Sequence, residues 1–174
     1  MLRRIVAIFL TCMIGWAASA AQAQAVAQAP ENPLTLLASW VGGRWVGEFD
    51  AGDGRKFKAI RAYQWSFDQR LLIGRSFGEF GGKSVQTRET VFFWNPATKR
   101  IEFTDFIDQG GFGAGFLERR DGRIYMEAEV VGNAAHPSWR AWMDEAPDSQ
   151  VLRVEAVKDG KWSSFGTYPY QREK

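Results

Sequence analysis

A short apolar stretch, Leu34-Thr35-Leu36-Leu37-Ala38-Ser39-Trp40-Val41, ends at Gly42-Gly43, and a strand carrying Trp45 begins at once. Asn32 can cap a helical turn here, and Pro33 suits its first position, where φ is already helical and no N–H is needed. Leu34, Leu37 and Val41 would then share one face and could plug the end of a sheet closed on itself. Everything downstream reads as short strands, roughly 44–50, 56–67, 71–79, 84–94, 100–107, 112–120, 123–132, 138–144, 150–158 and 161–170. Asp121-Gly122 and Asp159-Gly160 are two-residue hairpin signals. Asn95-Pro96-Ala97-Thr98 is a longer turn, and Asp68-Gln69-Arg70 joins the second strand to the third. No long helical period separates the strands, so parallel βαβ units are not expected. The pattern predicts an all-β fold: a single antiparallel up-and-down β-barrel of about ten strands with a short N-terminal helical plug.

The first residues read as an export signal. Arg3 and Arg4 precede an apolar run over 5–18, and Ala18-Ser19-Ala20 and Ala21-Gln22-Ala23 are both small-x-small cleavage sites. The run is shorter than the roughly 20 apolar residues of a membrane span, so no stable span is expected after removal. The expected organisation is a signal peptide at 1–23, a flexible leader at 24–33 and the barrel domain at 34–174, with a periplasmic or secreted product. Arg3 and Arg4 are two of the 22 Lys+Arg, so the remainder balances the 20 Asp+Glu. That leaves no basic excess for phosphates, and nucleic acid is not an expected partner. The single cysteine, Cys12, lies in the signal. The product therefore has no disulfide, thiol nucleophile or cysteine metal site.

Alternation along the strands selects candidate site residues. One face of 56–67 carries Phe57, Ala59, Arg61, Tyr63, Trp65 and Phe67. A three-residue turn sets Phe67 opposite Leu71, Trp65 opposite Ile73 and Tyr63 opposite Arg75, giving a matching face of Leu71, Ile73, Arg75 and Phe77. Pairing Phe93 with Ile101 likewise sets Val91 opposite Phe103 and Glu89 opposite Asp105. Arg61, Arg75, Glu89 and Asp105 then fall on otherwise apolar faces. Inward charges must pair, bind a polar ligand group or line water. A one-residue shift in register, or a bulge, would send them to solvent instead. The expected ligand site is Arg61 and Arg75 for an acidic group, Tyr63, Trp65, Phe77 and Phe93 for an apolar part, with Glu89 and Asp105 beside them.

The Gly43-Arg44-Trp45 motif at the start of the first strand resembles the Gly-x-Trp signature of lipocalins and other calycins. In that family the tryptophan closes one barrel end against an arginine from a late strand. The resemblance implies this structural role for Trp45 and Arg172, with Arg153 a second candidate for the arginine. Gly43-Arg44-Trp45-Val46-Gly47, the strand count, and Arg88-Glu89-Thr90 followed by Phe92-Phe93-Trp94-Asn95-Pro96 look most like nitrobindin-like and uncharacterised secreted bacterial lipocalin-like domains. Nitrobindins hold haem through a late histidine. The only histidine here, His136, falls in a segment expected to be a loop before a strand. No cofactor is predicted, and haem through His136 is an alternative ranked below it.

Gly110-Gly111-Phe112-Gly113-Ala114-Gly115 lacks the following helix that a phosphate-binding loop requires. One histidine and no cysteine beyond the signal leave no material for a zinc site or a Ser-His-Asp or Cys-His constellation. The sequence therefore points to a small-molecule-binding protein with no catalytic residues or metal, for a hydrophobic or amphipathic ligand with an acidic group. The alternatives are an enzyme using a Glu89/Asp105 carboxylate pair and a structural or interaction barrel without ligand. Oligomeric state is left open.

Overall fold

The computed structural model of the chain describes residues 32–50, 56–108, 110–132 and 137–173, with Phe80 described by its backbone alone. A 3₁₀ helix, η1 (Pro33–Trp40), precedes ten strands: β1 (Arg44–Asp50), β2 (Lys56–Ser66), β3 (Leu71–Phe80), β4 (Lys83–Asn95), β5 (Arg100–Ile107), β6 (Phe112–Arg120), β7 (Arg123–Val131), β8 (Ser138–Ala146), β9 (Ser149–Lys158) and β10 (Lys161–Glu173). Each strand pairs antiparallel with its neighbours in sequence, and β1 pairs with β10, so the sheet closes into an up-and-down barrel. Closure removes every sheet edge. No described helix is long and apolar enough to cross a membrane.

The turns follow from local chemistry. Asp121-Gly122 and Asp159-Gly160 carry positive φ at both central residues, 51° and 78° in the first and 51° and 72° in the second. That is the mirror-image turn whose twist suits a hairpin. The β2–β3 connection is longer than its sequence suggests. Phe67, Asp68 and Gln69 all take positive φ, and Arg70 donates its N–H to the Phe67 carbonyl at 3.0 Å. The loop spans four residues, so Ser66 pairs with Leu71 and Trp65 with Leu72. The expected Phe67–Leu71 register is therefore corrected by one residue.

η1 seals one end of the barrel. The Asn32 side chain accepts the Leu34 N–H, with Pro33 at the first helical position. Because residues three apart eclipse in a 3₁₀ helix, the buried face is Leu34, Leu37 and Trp40, each at most 1 % exposed. Val41, expected on that face, packs at its edge. Trp40 lies 5.0 Å from the Tyr63 ring and 5.5 Å from the Phe92 ring. Its Nε1 donates to Glu145 Oε1 at 2.6 Å.

Trp45 Nε1 donates to the Trp40 carbonyl at 2.9 Å, and the Arg172 guanidinium sits 4.4 Å from the centroid of the Trp45 ring. Arg172 also donates to the Ser39 carbonyl and, at 3.4 Å, to that of Val41. The crowding explains Gly43: its φ is +155°, and a Cβ there would stand 2.9 Å from the Glu173 carbonyl oxygen.

The plug contributes through apolar burial, which gives a direct test. Leu37→Ala is expected to cost about 2–5 kcal/mol, the range for a buried leucine truncated against neighbours that cannot fully collapse. Urea denaturation should show a lower midpoint at an unchanged slope.

Candidate ligand cavity

The barrel is filled near η1 and hollow further along. The filled end holds Leu72, Phe92, Ile101, Leu117, Ile124 and Met143 together with the η1 residues. Towards the other end the inward positions of β3 shrink to Gly74, Ser76 and Gly78, and those of β6 to Gly113 and Gly115. The Tyr63 ring takes the space over Gly74, where a Cβ would lie 2.8 Å from Tyr63 Cε1. What remains is a cavity of about 520 Å³, within the range of about 300–1,000 Å³ typical of ligand pockets. It runs from a floor at Trp40 to Phe57, Asp108 and Phe165 at the far end, where Asp108 and Phe165 are exposed.

Its two walls differ in chemistry. Met126, Trp139, Met143, Leu152 and Val154 make the β7–β9 side apolar. The β2–β5 side brings together Arg61, Tyr63, Arg88, Thr90 and Asp105. The Arg61 guanidinium lies 4.3 Å from the centroid of the Tyr170 ring. Burial opposes its charge, but Tyr170, Tyr63 and Asp105 outweigh that, and its pKa moves up from the ordinary arginine value. Burial also raises the Tyr63 pKa against the pull of Arg61, so the phenol stays a neutral donor.

Asp105 is only 2 % exposed. Its Oδ1 accepts from Thr90 Oγ1 at 2.7 Å. Its Oδ2 stands 3.4 Å from Arg88 Nε, an ion-pair contact, and has no hydrogen-bond partner. An acceptor buried in that way costs about 1–3 kcal/mol. Burial lifts the Asp105 pKa above the usual carboxylate value, and Arg88, Thr90 and Arg61 only partly offset it.

The expected site residues divide between the two faces of the wall. Arg61, Tyr63, Phe77 and Asp105 border the cavity. Arg75 and Glu89 do not. They are cross-strand partners on the outside, joined by an Arg75 Nε–Glu89 Oε2 ion pair of 2.8 Å, with each side chain about one-third exposed. The Glu89/Asp105 pair is therefore corrected: Thr90 faces Asp105, and Glu89 faces Phe106.

Phe93 gives way to Phe92 in the lining, because the β4–β5 ladder pairs Trp94 with Ile101 rather than Phe93. Trp65 packs against the core cluster and does not border the cavity. Trp45 and Arg172 meet at the plugged end, as described above. Arg153 pairs instead with Asp144. His136 lies outside the described residues, as do the expected signal at 1–23 and the leader up to Glu31.

Arg88, Thr90 and Tyr170 escaped the sequence reading. The signal available was weak, since β4 carries large apolar residues on both faces: Phe92 and Trp94 on one, Val91 and Phe93 on the other.

No protein-family model matches the chain. No curated protein matches it either. Among solved structures it is similar to the crystal structure of Rv2717c from M. tuberculosis, at a TM-score of 0.53 and 10 % identity over 81 % of this chain and 97 % of that one. At that identity the likeness concerns the barrel fold alone.

The raised Asp105 pKa carries a stability consequence. A carboxyl whose folded pKa exceeds its unfolded value holds its proton more tightly in the native state, so it favours folding at low pH and less so as pH rises through the window between the two values. Asp105→Asn removes this titration. Denaturant melts across pH should show the variant gaining stability relative to wild type as pH rises from the ordinary aspartate pKa, then levelling off. A difference that does not vary with pH would contradict the assignment.

Proposed function

We propose that the protein is an exported, non-enzymatic carrier that holds a small amphipathic molecule with an acidic group inside its barrel. The observation that carries this reading is Arg61: a guanidinium inside the barrel, at the polar side of a cavity whose other wall is apolar. Arg61 and Arg88 face the single carboxylate of Asp105 in this cluster, which leaves one positive charge for a ligand anion. The acidic group would pair with Arg61, with Tyr63 as a neutral donor beside it. The tail would lie along Phe92, Phe103, Trp139 and Met126.

Export rests on the sequence at 3–23. A calycin kinship is supported by Gly43-x-Trp45 and by Arg172 lying over the indole. The finer likeness to nitrobindin-like domains rests on the 43–47 motif and the strand count.

Decanoate is a suitable probe, its binding followed by calorimetry. Arg61→Met is expected to weaken binding about 10- to 100-fold, the scale of a lost charge-assisted hydrogen bond. Arg75→Ala, on the outer wall, should leave affinity unchanged. Equal affinity in the Arg61 variant and wild type would refute the placement of the acidic group. For export, intact-mass measurement of protein recovered outside the cytoplasm should show loss of residues 1–23.

A further inference from the structure

Two described polar side chains are buried almost completely, Asp105 and Gln150, and of these only Asp105 borders the cavity. Its two oxygens are treated differently. Oδ1 is occupied by the Thr90 hydroxyl. Oδ2 has the Arg88 charge nearby at 3.4 Å but accepts no hydrogen bond.

Asp105 lines the cavity, so a donor from there that displaces the side chain's close neighbours and reaches Oδ2 would meet a carboxylate oxygen that is already desolvated. It would form a charge-assisted bond with little further cost in water or in side-chain freedom. A ligand without such a donor would leave that oxygen unpaired and would bring its own anion close to a like charge. Sites with buried, unpaired polar atoms discriminate strongly for this reason.

Resting on the carrier reading above, we infer that the cavity selects amphipathic acids that carry a hydroxyl or amide N–H near the acid group. The acid group engages Arg61, and the neighbouring donor bonds Asp105 Oδ2. Thr90 holds the carboxylate in place, so the selection depends on a rigid strand pair, β4 and β5, and not on a loop. Ser76 and Thr87 on the same side leave room for a polar head wider than a bare carboxylate.

Calorimetric titration of the protein with decanoate and with β-hydroxydecanoate tests this. The hydroxy acid is expected to bind wild type about ten-fold more tightly. Asp105→Leu keeps the branched shape without an acceptor and should abolish the preference, while binding decanoate more tightly because a like charge is gone. Should that variant fail to fold, Asp105→Asn keeps the shape, loses the charged acceptor and should reduce the preference. Equal affinity of the two acids for wild type overturns this inference and leaves the carrier reading standing. Absence of binding by either acid at millimolar concentration overturns both. A preference that survives undiminished in the variants overturns the assignment to Asp105.

Discussion

The structure depends on the seam where β1 meets β10. That ladder holds three residue pairs, Arg44–Glu173, Trp45–Arg172 and Val46–Gln171, against seven between β1 and β2. Pro169 has no N–H with which to extend it. The short ladder is reinforced from outside itself. Trp45 is anchored to the Trp40 carbonyl and covered by Arg172, which in turn holds the last carbonyls of η1. The helix that plugs the barrel and the pair that closes its sheet are thus one packed unit. Without closure the other ladders would form an open sheet with two edges, and no interior would exist.

With the barrel closed, side-chain volume decides what the interior can do. Large residues crowd the η1 end, and β3 runs from Leu72 to Gly74, Ser76 and Gly78. The change in size along one strand turns a filled barrel into a cavity. The polar cluster sits where space opens, which permits Arg61, Arg88 and Asp105 to be near one another without being fully sealed together. Asp105 is buried there, offset only in part by the Thr90 hydroxyl and the Arg88 and Arg61 charges.

Much of the architecture is legible from the chain because turns and alternation are local. Asp121-Gly122 and Asp159-Gly160 announce their hairpins, and β1, β5 and β6 occupy the expected residues. Faces are less legible because they depend on loop length. The 67–70 loop holds one residue more than the Asp68-Gln69-Arg70 turn suggests, since Phe67 leaves the strand with positive φ. That residue turns β3 over and carries β4 with it, sending Arg75 and Glu89 outward. The β4–β5 turn shifts by one residue again and restores β5, so Arg61 and Asp105 do share the interior. Two slips of one residue cancel for the strands on either side and not for those between.

From its residues alone the chain determines its strands, their order and the helical plug, because hydrophobic period and turn chemistry act over a few residues. Only the tertiary structure decides which charges face one another. Cross-strand register is set by loop conformation and by ring closure, and each depends on contacts between segments far apart in sequence, such as Trp45 with Arg172 and Thr90 with Asp105.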